Sequence, residues 1–217
     1  TNEHIGSGVW ADRQDAAHAH SIVPVPNSNI VVAADLGTDK VYAYDACEFT
    51  KLAETSTIPG SGPRHFAFHP TLPIVYVIQE LSNTVAIFEL NGDHIPESLL
   101  GVITTLPKDY DGENTAADIH ISPDGQFLYA SNRGHDSIVT YKVSETGMLN
   151  IIGFTSTEGH GPRNFALLYD EKIIIAANEQ SDSLVVLNLT DDGTPISTGN
   201  MIQMPKPVCV QPIVGRK

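Results

Sequence analysis

Five arginines punctuate this 217-residue sequence, and three of them, Arg64, Arg133 and Arg163, stand beside turns. A guanidinium offers planar, paired donors that match a phosphate or a carboxylate. A cation needed only for solubility is as easily a lysine anywhere, so this placement points to a small anionic ligand. Near the arginines stand groups that can move a proton: the pair His18-Ala-His20, His65 beside Arg64, and Glu80. Asp35, Gln79, Asn132 and Asn178 each end an apolar run; Glu80 stands one position further, on the other face of an extended chain. Each residue also has a plainer reading. Glu80 could end a strand in water, Arg64 and Arg163 could tie strands together through Asp35 or Asp118, and His65, His69 and His120 could be satisfied strand-end histidines. His4, His94, His135 and His160 read as loop residues. Imidazoles at His18, His20, His65 and His69 could serve a metal, with oxygens from Asp35, Glu80, Asp118, Asn132 and Asn178, but zinc needs three or four converging ligands and calcium several oxygens.

These residues sit at fixed places in a repeat. The segments His20 to Asp45, Arg64 to Glu89, Ala117 to Lys142 and Arg163 to Asn188 align without gaps, their starts 44, 53 and 46 residues apart. Pro26, Pro70 and Pro123 coincide, with Tyr169 in the fourth place, and so do Val41, Val85, Ile138 and Leu184. Each unit reads as a short strand (Phe66 to Phe68, Ile119 to Ile121), a turn, an apolar run such as Ile74-Val-Tyr-Val-Ile, a polar hairpin and an alternating strand such as Val85-Ala-Ile-Phe. A fourth strand follows at Leu52 to Ile58, Leu99 to Thr105, Met148 to Thr155 and Ile196 to Gln203. No window sustains the i, i+3, i+4 pattern of a helix. A run apolar on both faces must be covered on both, which stacked units provide. The period and strand count predict an all-β fold, a β-propeller of four-stranded blades. The units run over about 18–60, 61–106, 116–157 and 160–204, with 205–217 as a closing strand and tail, in one domain over 1–217. Residues 1–17 read as a polar lead-in loop, and Leu106 to Thr115 as an insert.

The formal net charge is −14 and the pI about 4.8, which argues against nucleic acid or an anionic membrane as partner. It leaves a small anionic ligand open, because only local charge matters there. Cys47 and Cys209 read as small buried thiols. No signal peptide, membrane-spanning run or lipidation motif is read, so a cytoplasmic location is expected. A Gly-x-Ser-x-Gly elbow, a phosphate-binding Gly-x-x-x-x-Gly-Lys loop and a dinucleotide fingerprint are all missing from the sequence.

Six stretches then carry a resemblance: Arg13-Gln-Asp-Ala-Ala-His-Ala-His-Ser21, Ala34-Asp-Leu-Gly-Thr-Asp-Lys-Val41, Gly62-Pro-Arg-His-Phe-Ala-Phe-His-Pro70, Gln79-Glu-Leu-Ser82, Ser122-Pro-Asp-Gly125 with Tyr129-Ala-Ser-Asn-Arg-Gly134, and Gly161-Pro-Arg-Asn-Phe165. In this order they resemble the seven-bladed propeller lactonases, which include propeller-type 6-phosphogluconolactonases and 3-carboxy-cis,cis-muconate lactonizing enzymes. The resemblance implies that about four blades of a seven-bladed pattern are present, with about three N-terminal blades missing. It implies a catalytic set of His20, Arg64, Glu80 and Arg133, an anion cradle of Arg64, Arg133 and Arg163 beside a central channel, supporting roles for His18 and His65, and neither metal nor cofactor. A lactone carbonyl needs an attacking water, a base, for which Glu80 or His20 serves, and cationic donors for the oxyanion. The implied partner is a small anionic lactone, most simply 6-phosphogluconolactone on its way to 6-phosphogluconate. A muconate-type lactonizing cycloisomerase and a non-catalytic propeller scaffold that binds a protein are the alternatives.

Overall fold

The computed structural model describes residues 2–213, so the last four residues of the expected tail, Arg216 among them, lie outside the described part. Sixteen strands are found among the described residues, grouped in four sheets of four antiparallel strands. In chain order β1 (Ala19–Pro24), β2 (Ile30–Asp35), β3 (Lys40–Asp45) and β4 (Lys51–Ser56) form the first sheet. The second holds β5 (Pro63–Phe68), β6 (Ile74–Gln79), β7 (Thr84–Leu90) and β8 (Pro96–Thr104). The third holds β9 (Thr115–Ile121), β10 (Phe127–Arg133), β11 (Ser137–Val143) and β12 (Leu149–Ser156). The fourth holds β13 (Pro162–Leu168), β14 (Ile173–Asn178), β15 (Ser183–Leu189) and β16 (Pro195–Gln203). Each sheet is a meander in sequence order, the blade pattern expected from the repeat.

The strands divide between two compact bodies, one built on the first two sheets and one on the last two. In the first body, Val32, Val41 and Ala43 meet Val75, Val77, Ala86 and Phe88 in one apolar cluster. In the second, Tyr129 and Ile138 meet Phe165, Ile174, Val185 and Leu187. All six residues of β6 are buried, so this run is covered on both faces. Burying each such aliphatic or aromatic side chain stabilises the fold by about 1.5–3 kcal/mol. One polar contact between neighbouring sheets appears in both bodies: the Thr55 hydroxyl donates to the Pro96 carbonyl and the Thr155 hydroxyl to the Pro195 carbonyl.

The hairpin between the second and third strands of each sheet is also a repeat. Asp39, Asn83, Asp136 and Asp182 take the left-handed conformation there, with φ of 54°, 55°, 53° and 53°. Asn and Asp tolerate this region better than other residues with a Cβ. The carbonyls of Asp39, Asn83 and Asp136 accept the backbone N–H of Thr57, Thr105 and Thr157 at the end of each sheet.

Several expectations need correction. The first strand of each unit starts earlier than its apolar residues suggest, so that Arg64 and Arg163 lie within β5 and β13. Residues 205–213 form no strand; Lys206 N donates to Asp182 Oδ1 and Val210 N to Asn164 Oδ1. Both cysteines are exposed, not buried. Residues 2–17 form no strand, as expected of the lead-in, yet His4 is no loose loop residue. Its ring stacks on Tyr42 with centroids 3.7 Å apart, Nδ1 lies 2.5 Å from Asp35 Oδ2, and Nε2 lies 2.6 Å from the Tyr44 hydroxyl. Burial beneath this segment helps push the Tyr44 phenol above its ordinary pKa.

Candidate functional site

The positions that carry the chemistry coincide with a break in strand pairing. In β5 the register passes from Pro63↔Gln79 to His65↔Ile78, so Arg64 is the extra residue of a β-bulge. His20 is the extra residue between Ala19↔Asp35 and Ser21↔Ala34, and Arg163 between Pro162↔Asn178 and Asn164↔Ala177. In β9 the break falls between Ala116↔Asn132 and Ile119↔Ala130. A bulge re-aims one side chain while its neighbours resume the normal alternation. One structural device at one repeat position therefore presents His20, Arg64 and Arg163.

In the first body the turn before Arg64 is held by the β2–β3 hairpin. Asp39 accepts the backbone N–H of Gly60 at 2.6 Å and of Gly62 at 2.8 Å. Gly62 has φ +63°, and a Cβ there would stand 2.6 Å from Leu81 Cγ, so only glycine fits. The Gly62 carbonyl then accepts Glu80 N at 2.7 Å, which fixes Glu80 just past the end of β6 and opposite Arg64. The sequence placed Glu80 on the other strand face; the structure places it in the turn that follows.

Arg64 and Glu80 are almost wholly buried, with side chains 2% and 6% exposed, and Arg64 Nε donates to Glu80 Oε2 at 2.9 Å. Arg64 therefore pairs with Glu80, and the pairing with Asp35 that its plainer reading allowed is not formed: Asp35 instead takes His4 and the N–H groups of His18, Gly37 and Thr38. Arg64 Nη1 lies 3.2 and 3.3 Å from the two ring nitrogens of His65, and the His65 ring meets the His20 ring edge-on at 5.2 Å. The Ser21 hydroxyl donates to the Arg64 carbonyl at 2.5 Å. The structure thus brings together His20, Arg64, His65 and Glu80. His18 is apart from them, its Nε2 2.9 Å from Asp15 on the surface.

Sequence reasoning missed Arg13. Its Nη2 donates to Glu80 Oε1 at 2.5 Å, so the two carboxylate oxygens each receive a different arginine. Two signals were available: Arg13 stands in a polar loop just before the His18-Ala-His20 pair of a strongly acidic chain, and it opens the first of the six stretches that carry the resemblance.

The second body holds the other expected residues. Arg133 ends β10, and its Nη2 donates to the Ala116 carbonyl at 3.2 Å. Arg163 sits opposite Glu179 as Arg64 does opposite Glu80, and Glu179 N likewise donates to the Gly161 carbonyl. This second pair is looser: its closest approach is 3.7 Å, and the side chains are 36% and 31% exposed. Asp118, the other acid offered as an arginine's partner, accepts from His120, Asn164 and Phe165 N. His120 titrates above its ordinary value: burial works against its charge, but the Asp118 carboxylate 3.0 Å away outweighs it. Among the described residues no group of three or more His, Cys, Asp or Glu side chains is arranged to hold a metal ion, and no helix is long and apolar enough to cross a membrane.

Comparisons with known proteins agree with this architecture. The chain is 42% identical over 219 residues to an uncharacterized protein, YwcC, of Lactococcus lactis, covering 98% of this chain and 63% of that protein. It is 37% identical to a 6-phosphogluconolactonase of Bacillus subtilis, covering 96% of this chain and 60% of the relative. A crystal structure of a protein from Lactobacillus plantarum superposes with a TM-score of 0.90 at 32% identity, over 96% of this chain and 62% of that one. The periplasmic gluconolactonase PpgL of Pseudomonas aeruginosa superposes with a TM-score of 0.83 at 33% identity, over 89% of this chain and 56% of that one. The chain thus spans about three fifths of the length of these relatives. Residues 1–212 match the family described as "Lactonase, 7-bladed beta-propeller", and with four four-stranded sheets in sequence order the chain belongs to that family.

Proposed function

We propose that the protein hydrolyses a small anionic sugar lactone, 6-phosphoglucono-δ-lactone, to its open-chain acid. The observation that carries this reading is the buried Arg64–Glu80 pair, set by a bulge beside His20 and His65. Both Glu80 oxygens are engaged by guanidinium donors, which suits it to hold arginines in place. His20 is then the base, since imidazole exchanges a proton near neutrality. Water attacks the lactone carbonyl and gives its proton to His20. The ring C–O bond breaks, and the same proton passes to the departing ring oxygen. Arg64 stabilises the oxyanion between these steps. For Arg133 a role in catalysis and anion binding, and for Arg163 a role in anion binding alone, rest on the family motifs, and each is tested by its own substitution to alanine.

The test is hydrolysis of freshly prepared 6-phosphogluconolactone, followed by acid release above the uncatalysed rate, with and without chelator. Turnover by the wild-type protein that persists in chelator, falls at least ~10²-fold in His20→Gln, and falls strongly in Arg64→Lys supports the proposal. Arg64→Lys keeps the charge but loses the planar fork. Full activity in His20→Gln removes His20 as the base, and turnover lost only with chelator replaces this mechanism with a metal-assisted one.

A further inference from the structure

The segment before β1 is more firmly built than a lead-in needs to be. Gln14 is fully buried. Its Oε1 accepts the backbone N–H of Val9 and Trp10, and its Nε2 donates to the Leu36 carbonyl at 2.8 Å and to Asp39 Oδ1 at 2.7 Å. The Trp10 indole N–H donates to the Gly60 carbonyl at 3.0 Å. Asp39 is the same residue that holds the turn leading into Arg64. The loop carrying Arg13 and the turn leading into Arg64 therefore share one anchor, and both arginines reach Glu80 from it.

The two arginines differ in their freedom. The Arg64 side chain is 2% exposed and the Arg13 side chain 42% exposed, although both bond to the same carboxylate. Arg64 moves only if a buried site is rebuilt, whereas Arg13 turns on a flexible stem already in contact with solvent. A phosphate monoester carries more charge than one carboxylate and offers three acceptor oxygens, so it competes well for a half-exposed guanidinium. Glu80 keeps Arg64 when Arg13 leaves.

We propose that Arg13 is the specificity residue for the phosphate of the substrate, parked on Glu80 Oε1 in this structure and drawn onto the phosphate when substrate binds. This rests on the lactonase reading above. The test compares kcat/KM for 6-phosphogluconolactone and for uncharged glucono-δ-lactone in the wild type, Arg13→Gln and Arg13→Lys. Arg13→Gln is expected to lower kcat/KM for the phosphorylated lactone about 10- to 100-fold, mainly through KM. The uncharged lactone should change less than about threefold, and Arg13→Lys should recover much of the loss. Equal losses on both lactones mean that Arg13 only steadies Glu80, and no loss on either means that it does not act; each overturns the proposal. If the wild type turns over neither lactone, the lactonase reading fails first, and calorimetric binding of 6-phosphogluconate against gluconate decides the point. A preference for the phosphorylated acid that Arg13→Gln abolishes upholds the role of Arg13; a preference that survives, or no binding, ends it.

Discussion

Removing Glu80 should take from the buried Arg64 guanidinium the carboxylate that its Nε bonds. The side chains of the pair are 2% and 6% exposed at 2.9 Å, so solvent does little to replace the lost partner. Breaking a buried pair from one side costs about 3–5 kcal/mol, because the charge left behind is already desolvated. Glu80→Leu should therefore destabilise the fold by about that amount, and lower the melting temperature by about 6–20 °C for a domain of this size. Arg64→Met should cost nearer the lower end, because Arg13 still faces Glu80 at 2.5 Å. The double substitution removes both buried charges and returns the half-exposed Arg13 to water. It should cost at least about 2 kcal/mol less than the sum of the singles. Urea unfolding followed by circular dichroism measures all four proteins, with an unchanged slope showing that the unfolded state is unaltered. A cost under about 1 kcal/mol for either single change, or two effects that simply add, would mean that Arg64 and Glu80 do not depend on each other for burial. This test does not depend on any catalytic activity.

Two other predictions concern the surface. Glu54 is held by Lys40 at 2.7 Å and Lys51 at 2.9 Å, and its pKa is lowered from 4.5 to about 2, chiefly by the Lys40 hydrogen bond. A depressed acid pKa adds stability above its unfolded value and loses it as pH falls through the folded one. Glu54→Gln should then be less stable than the wild type near neutrality, with the gap closing toward pH about 2; an equal gap at both ends of a pH series of melts would contradict this. Cys47 and Cys209 are free and exposed, so a thiol reagent should titrate both in the folded protein without denaturant, and protection of either until unfolding would count against the placement of its loop.

The blade pattern was legible in the sequence because strand structure is a local property. Alternation of side chains records which faces are buried, as in the apolar run that became the fully buried β6. The Asp and Asn residues of the hairpins record a backbone conformation that few other residues tolerate, and Asp39, Asn83, Asp136 and Asp182 are where it occurs. The repeat multiplies each of these signals four times. His20, Arg64, His65 and Glu80 were likewise singled out in the sequence, by type, motif and place beside a turn.

How those residues work together was settled only by tertiary contacts. The bulges that turn out His20, Arg64 and Arg163 depend on the register between paired strands, which a single strand's alternation does not encode. Arg13 reaches Glu80 across 67 residues of chain, and no period links the two. Arg64 and Arg163 share a repeat position and a motif, yet one is buried and tightly paired while the other is loose and partly exposed. Local sequence encodes the strands and where they turn, since neighbouring residues carry that information. Which cation each carboxylate holds, and how deeply, was decided by the fold, because a charge's partner is whatever distant group the packing brings within about 3 Å of it.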